Sequence, residues 1–345
     1  MINPKPFKEY PDLMALLRSR KMSIENDNYA IKKLSQVGYY RLSGFWHTAR
    51  KPNVDNSLGD DFLPDTKFEE IYRLYIFDKK LRLLLLDIIE RLEIHIRGVI
   101  AHEMGRIDPL SYQKEEFIQS SKRRYFEQWS SNLQDKIDRC NDEFIRHHRE
   151  KNMSIPFWVI VEVWDFGCLS KYFSILDTTY QNAIAKRFNI DRNLFASWLQ
   201  QINFLRNCAA HHSRVWNRLF TSDITLPDPN KPKFKRYKKA NEFFTSLNLD
   251  NNRTVKSRLF IRIAVMWYLV NQTSTNYKWL DKLQTLITED FPNVPNAKLE
   301  SMGINGDISQ IIQLLKKIDA IDAMYILRHY IDLYLLWFNI LIKKG

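Results

Sequence analysis

The sequence predicts an all-α protein on three observations. Apolar residues recur at spacings of three and four over long stretches, strand-like alternation is slight throughout, and glycine is scarce, at 9 in 345 residues. Neither GxGxxG, GxxxxGKS nor GxSxG occurs, so the phosphate-cradling loops and nucleophile elbows of α/β enzymes are missing, and no repeat of fixed period is visible. The length admits two or three domains, or one with additions. The expected organisation is an N-terminal segment over 1–60, a helical core over 61–220, a basic loop over 221–257 and a C-terminal helical region over 258–345.

Taken in order, Gly38 and Gly44 bracket an aromatic cluster that runs on to His47 and reads as a turn docked on the helical core. From Phe68 the positions Ile71, Tyr75, Leu81, Leu85, Ile88, Leu92, Ile96 and Val99 form one stripe of a long helix ending near Glu103. Asp78 falls on that stripe and is expected to be a buried carboxylate satisfied by Arg73 or Arg82. Asp108-Pro109 breaks the pattern, and Glu115 to Lys151 reads as a solvated helical stretch with both charge signs interleaved. His147-His148 within it has no third ligand at helical spacing and is expected on the surface. Ile155 to Phe173 is aromatic-rich, and Pro156 ahead of Phe157, Val161 and Trp164 predicts a buried helix. Helical period returns from Asn193 to Phe220, lapses over the three prolines of Ser222 to Lys239, and resumes at Leu259–Leu269 and Ile308–Leu341 as a C-terminal layer.

Charge narrows the partner. Lys and Arg number 52 against 40 Asp and Glu, a net +12, so the surface should attract polyanions, nucleic acid first. Asp228 to Lys239 concentrates that charge in Lys231, Lys233, Lys235, Arg236, Lys238 and Lys239 against one acid, with Phe234 and Tyr237 interleaved; it reads as a phosphate-binding loop or as a solvated linker. The cysteines, Cys140, Cys168 and Cys208, are odd in number and lack CxxC spacing, which disfavours disulfides and thiolate zinc and fits a reducing cytoplasm. Met1 to Lys8 has no apolar leader, and the apolar runs are shorter than the ~20 residues of a membrane span.

The segment Asn203 to Arg218 carries the chemistry. If helical throughout, it sets Asn203, Asn207, His211, Arg214 and Arg218 on one face and Ile202, Leu205, Ala209, His212 and Val215 on another. The polar face has an imidazole, amides and guanidiniums without a carboxylate, which suits a phosphodiester. Such groups support RNA cleavage by in-line attack of a 2′-hydroxyl on its own phosphate, without metal or cofactor. His211 would be the general acid or base, Arg206 would stabilise charge on phosphorus, and Asn207 would orient the imidazole or donate to phosphate. Arg206 and His211 differ by about 140° around an ideal helix, so they converge only by side-chain wrapping, a distorted turn, or a second helix completing the site. Arg97 and His102 repeat the arginine-to-histidine spacing as a candidate second motif, with Gly98 in place of the polar residue; His102 is more often structural in such a match. His95 reads as structural and His212 as a core histidine.

Arg206-Asn207-Cys208-Ala209-Ala210-His211 resembles the HEPN signature of an arginine, a polar residue and a histidine several positions on. The wider pattern is similar to the Abi-like family of bacterial abortive-infection proteins, the AbiD/AbiF group. It is carried by Gly38-Tyr39-Tyr40-Arg41-Leu42-Ser43-Gly44, Phe77-Asp78-Lys79-Lys80-Leu81-Arg82, Glu90-Arg91-Leu92-Glu93, Pro156-Phe157-Trp158 and Leu205 through Asn217. The resemblance implies a HEPN-type helical bundle and metal-independent ribonuclease activity carried by Arg206 and His211. It further implies a role in phage defence or as a toxin, and kinship with the nuclease parts of type VI CRISPR effectors. The family pattern leaves His211 and His212 as alternatives; helical phase favours His211. The expected partner is RNA, including a structured small RNA that restrains activity, with a homodimer or an internally paired motif completing the site.

Overall fold

The computed structural model describes residues 6–249, 253–272 and 277–317. Three helices open the chain, α1 (Tyr10–Ser19), α2 (Asp27–Val37) and α3 (Tyr39–Trp46), followed by an antiparallel hairpin of β1 (Arg50–Pro52) and β2 (Leu58–Phe62). The long helix α4 (Phe68–Gly105) comes next, then α5 (Arg123–Arg139), α6 (Glu143–Glu150), α7 (Phe157–Ile160), α8 (Phe166–Ile175), α9 (Thr178–Lys186) and α10 (Arg192–Ala210). The C-terminal part holds α11 (Lys238–Ser246), α12 (Arg253–Lys256), α13 (Leu259–Val270), α14 (Lys278–Glu289) and α15 (Ile308–Lys316). The protein is predominantly α-helical, as the periodicity requires; the rest of the helix expected up to Leu341 lies outside the described residues.

α4 is the axis of the fold. Glu69 and Glu70 sit in its first turn, where the helix dipole favours anions, and neither proline nor glycine interrupts it before Gly98. Its 38 residues span about 57 Å. α3, α7, α9, α10, α13 and α14 pack along it, and one contiguous apolar core runs from Met14 to Leu315. α10 lies antiparallel to α4: Glu103 near the end of α4 pairs with Arg187 ahead of α10, whereas Asp78 near its start accepts from Val215 and Trp216 beyond α10. α13 is buried on every side, and Trp279 of α14 donates to the Leu84 carbonyl at 2.9 Å.

Four local expectations are corrected. The aromatic cluster after Gly38 is a helix, α3, not a turn; the break falls at Gly38 itself, whose φ of 87° and ψ of 140° suit glycine, while Leu42, Phe45 and Trp46 dock on the core. The charged stretch from Glu115 begins in short 3-10 turns and splits at Cys140–Asp142 into α5 and α6, and α5 buries Phe126, Trp129 and Leu133 rather than lying solvated. The buried aromatic helix after Pro156 is interrupted by extended backbone at Trp164 and Asp165, and the Asp165 carboxylate then caps α8 by accepting from the Cys168 N–H. Helical structure after Asn193 stops at Ala210 rather than running to Phe220.

Candidate catalytic motif and nucleic-acid interface

No glycine or proline marks the end of α10, so local propensity alone would carry the helix on. It ends in a Schellman turn instead: the Ser213 N–H donates to the Cys208 carbonyl at 2.8 Å and the His212 N–H to the Ala209 carbonyl at 3.2 Å. His212 occupies the left-handed position at φ 59°, where glycine is usual. Partners far off in sequence fix the turn. Arg41 of α3 donates to the His212 carbonyl, and Asp78 Oδ1 accepts from the Val215 and Trp216 N–H groups at 2.9 Å each. Arg82 closes a buried ion pair with the other oxygen of Asp78, as expected for one of the two arginines considered. Burial pushes the Asp78 carboxyl upward, opposed by Arg82 and the two N–H groups.

This turn redistributes the motif. Arg206 and Asn207 remain on α10, with Arg206 Nη1 3.4 Å from Asn207 Oδ1. His211 is the C-cap and is exposed; His212, expected among core residues, is exposed too, because the chain leaves the helix before its phase can bury it. Arg214 and Arg218, expected on the His211 face, lie off the helix altogether.

Half-buried Arg206 turns toward α4 and lines a groove of about 380 Å³ with Leu86, Glu90, Glu93, Ile94 and Arg97. Burial raises the Glu93 carboxyl, and Arg97 and Arg206 oppose the rise. Burial also works upward on neighbouring Asp165, but the Lys136 ammonium and the Cys168 N–H, with Arg206 nearby, outweigh it and hold that carboxyl low. Arg97 is engaged: it pairs with Glu93 at 2.6 Å and with Glu162 at 3.7 Å, and its Nε donates to the Trp164 carbonyl at 2.9 Å. His102 is exposed in the last turn of α4, nine residues or about 13 Å along the axis past Glu93 and away from the His211 end. Half-buried His95 packs edge-on against Phe188 with ring centroids 5.1 Å apart, and burial lowers its pKa.

A second groove, of about 830 Å³, opens between α3 and the loop 211–219, with Arg41, Arg214 and Arg218 in its wall. In the basic loop, Lys231, Lys233, Lys235, Arg236 and Lys238 are exposed, whereas Lys239 is buried with Nζ 3.3 Å from Gln272 Oε1. Phe234 and Tyr237 turn inward, carrying Lys233 and Arg236 over their rings at 4.7 and 4.8 Å. His147 is exposed and His148 half-buried, and among the described residues no group of three His, Cys, Asp or Glu could hold a metal ion. No helix among them is long and apolar enough to cross a membrane.

Residues 32–217, which take in α3, α4, α10 and the anchored turn, match the family model described as Abi-like protein. The chain belongs to the Abi-like protein family. That membership suggests a role in abortive infection or phage defence. Neither a curated protein nor a solved structure matches the chain. In this Abi-like protein four of the five segments that carried the family resemblance meet in space. Arg41 and Gly44, then Asp78 and Arg82, brace the loop after α10, and Glu93 stands beside Arg206. Arg41 and Glu93 beside these residues, and the backbone role of Asp78, are not foreseeable from the spacing; their only signal in the sequence is the shared occurrence of those segments.

Proposed function

We infer that this Abi-like protein is a metal-independent endoribonuclease of the HEPN type acting in phage defence or as a toxin. In the reaction, the 2′-oxygen of RNA bonds to the adjacent phosphorus as the bond from phosphorus to the 5′-oxygen breaks, leaving a 2′,3′-cyclic phosphate and a 5′-hydroxyl. A base removes the 2′-hydroxyl proton and an acid gives one to the leaving oxygen. His211 takes one of these roles, Arg206 offsets charge on the non-bridging oxygens, and Asn207 positions the imidazole or the phosphate. One imidazole cannot fill both roles in a single encounter; in this reading a second motif supplies the other, from a second copy of the chain or from within this one.

The observation that carries this reading is the exposed His211 imidazole at a braced helix end, five residues after Arg206 and inside the matched span. Arg206 faces α4 whereas His211 is not among the residues lining that groove, and this separation favours a second reading, a noncatalytic RNA-binding protein in complex with a structured RNA. Incubation with total RNA in chelator, followed by mapping of ends, decides. Cyclic-phosphate ends that vanish in folded His211→Ala and Arg206→Ala variants are expected; intact RNA, or undiminished cutting by both variants, refutes the nuclease.

A further inference from the structure

We propose that the groove between α3 and the loop 211–219 is a phosphate-binding subsite for single-stranded RNA, with Arg41, Arg214 and Arg218 on the backbone and Tyr40 stacking a base. The identity of the polymer rests on the ribonuclease reading; the anion site does not.

Three guanidiniums share one wall, and among the described residues lining the groove none is acidic. Asp78, the acid whose charge acts on Arg214, is itself bonded to Arg82 and to the Val215 and Trp216 N–H groups. Neither the Arg214 nor the Arg218 guanidinium donates a hydrogen bond to or pairs with a described residue; that of Arg218 lies over the Phe204 ring at 5.4 Å. Gathering cations in a partly buried wall is unfavourable: burial presses the Arg214 pKa down, the Asp78 carboxylate opposes this only in part, and Arg218 adds to it. An oligoanion relieves that tension, and guanidinium forks match phosphate oxygens in pairs. Gly44 lies against Arg214 in the same wall: a Cβ there would stand 3.4 Å from Arg214 Nη1.

Tyr40 identifies the strand as single. It is 91% exposed at the rim, a flat ring beside the guanidiniums with its face open to solvent. Stacking on it needs an unpaired base, since duplex RNA hides its base faces. His212 forms part of the same wall, so a strand seated here passes within one residue of His211.

The test is equilibrium binding of a labelled single-stranded oligoribonucleotide of about ten nucleotides across a salt series. The exposed Tyr40 and the partly exposed Arg218 are varied, with Lys282→Gln on α14 as a charge-matched control. Tyr40→Ala should weaken binding about tenfold, with Tyr40→Phe retaining it. Arg218→Gln should weaken binding and flatten the log–log salt slope by about 0.7, one phosphate contact. Unchanged affinity in Tyr40→Ala and Arg218→Gln, or an equal loss in Lys282→Gln, overturns the subsite. Equal binding of duplex RNA overturns the single-strand assignment, and AMP binding as tight as the oligonucleotide overturns the polymer in favour of a free nucleotide. A protein that cuts no RNA yet binds through Tyr40 and Arg218 loses the nuclease reading and keeps this groove; one that cuts RNA while binding ignores both loses only the groove.

Discussion

Replacing Asp78 with alanine should unfold the protein at markedly lower urea concentration. The carboxylate is fully buried, Arg82 is 5% exposed, and two backbone N–H groups donate to the same oxygen at 2.9 Å. Alanine leaves a buried guanidinium without its counter-ion, which typically costs ~3–5 kcal/mol. It also leaves two N–H groups without an acceptor, at ~1–3 kcal/mol each when they stay dry. The loop 211–218 is free to swing out and hydrate those groups, so the losses do not add in full, and the expected cost is about 4–6 kcal/mol.

Because the larger share comes from the stranded charge, Asp78→Leu combined with Arg82→Met should be more stable than Asp78→Ala alone, by roughly 2 kcal/mol. Urea unfolding of the wild type and these variants measures both quantities. Hydrogen exchange at Val215 and Trp216 gives an independent readout: both amides should be protected in the wild type and exchange fast in Asp78→Ala. A loss under ~1 kcal/mol in Asp78→Ala, or a double variant no more stable than the single, refutes the stranded-charge argument.

Three further outcomes are expected. His212→Gly relieves a left-handed residue worth ~1 kcal/mol but adds unfolded-state entropy of similar size, so thermal stability should stay within ~1 kcal/mol. RNA cutting should persist in that variant, and its loss would move the catalytic role from His211 to His212. Asp165→Ala should cost about 1 kcal/mol through the lost cap of α8, with Asp165→Asn keeping most of it. Since the Asp165 carboxyl is held low in the folded state, its ionic contribution is present above the ordinary carboxylate range and disappears as pH falls through the folded pKa. The stability gap between wild type and Asp165→Asn, measured by urea titration, should therefore close below about pH 4. Arg262 is fully buried, stays charged with a pKa lowered by burial to about 10, and donates to Gln201 Oε1 at 2.7 Å and the Ser222 carbonyl at 2.8 Å. Arg262→Lys loses this fork and the stacking on Phe220, and should destabilise by roughly 2 kcal/mol in the same assay.

Much of the fold was legible because its signal is local. The stripe from Ile71 to Val99 fixes α4 almost to the residue, and Asp78 stood out as an acid on an apolar face whose partner had to be a nearby arginine. The candidate site stands out in the sequence as a segment but not in its shape. The residues from Asn203 to Arg218 have an unusual polarity in the sequence, yet a helical phase fails for them after Ala210, because what stops the helix is not written there. Arg41 lies 171 positions from His212, and Asp78 lies 137 from Val215. A single sequence contains no term for such contacts, and helix propensity, left to itself, runs on through Arg214 and Trp216. In the basic loop the sequence shows Phe234 and Tyr237 interleaved with the cations but not which way they face, and the fold turns both inward.

Why a chain would spend a buried aspartate on backbone N–H groups when unpaired arginines stand beside it follows from what the loop must do. A helix extended to Phe220 would satisfy its own N–H groups at no cost, bury His212 and fan Arg214 and Arg218 around the axis. Ending the helix at Ala210 exposes both imidazoles and sets Arg214 and Arg218 in one wall with Arg41, but orphans the Val215 and Trp216 amides. Asp78 covers those amides, and Arg82 keeps the carboxylate charged enough to do so. Were Asp78 paired with Arg214 instead, the loop would lose its acceptor and the groove one of its cations. The division of labour is visible in the partners: Arg82 takes the acid, Arg41 the His212 carbonyl, and the guanidiniums of Arg214 and Arg218 are left for the anion that the proposed subsite would bind.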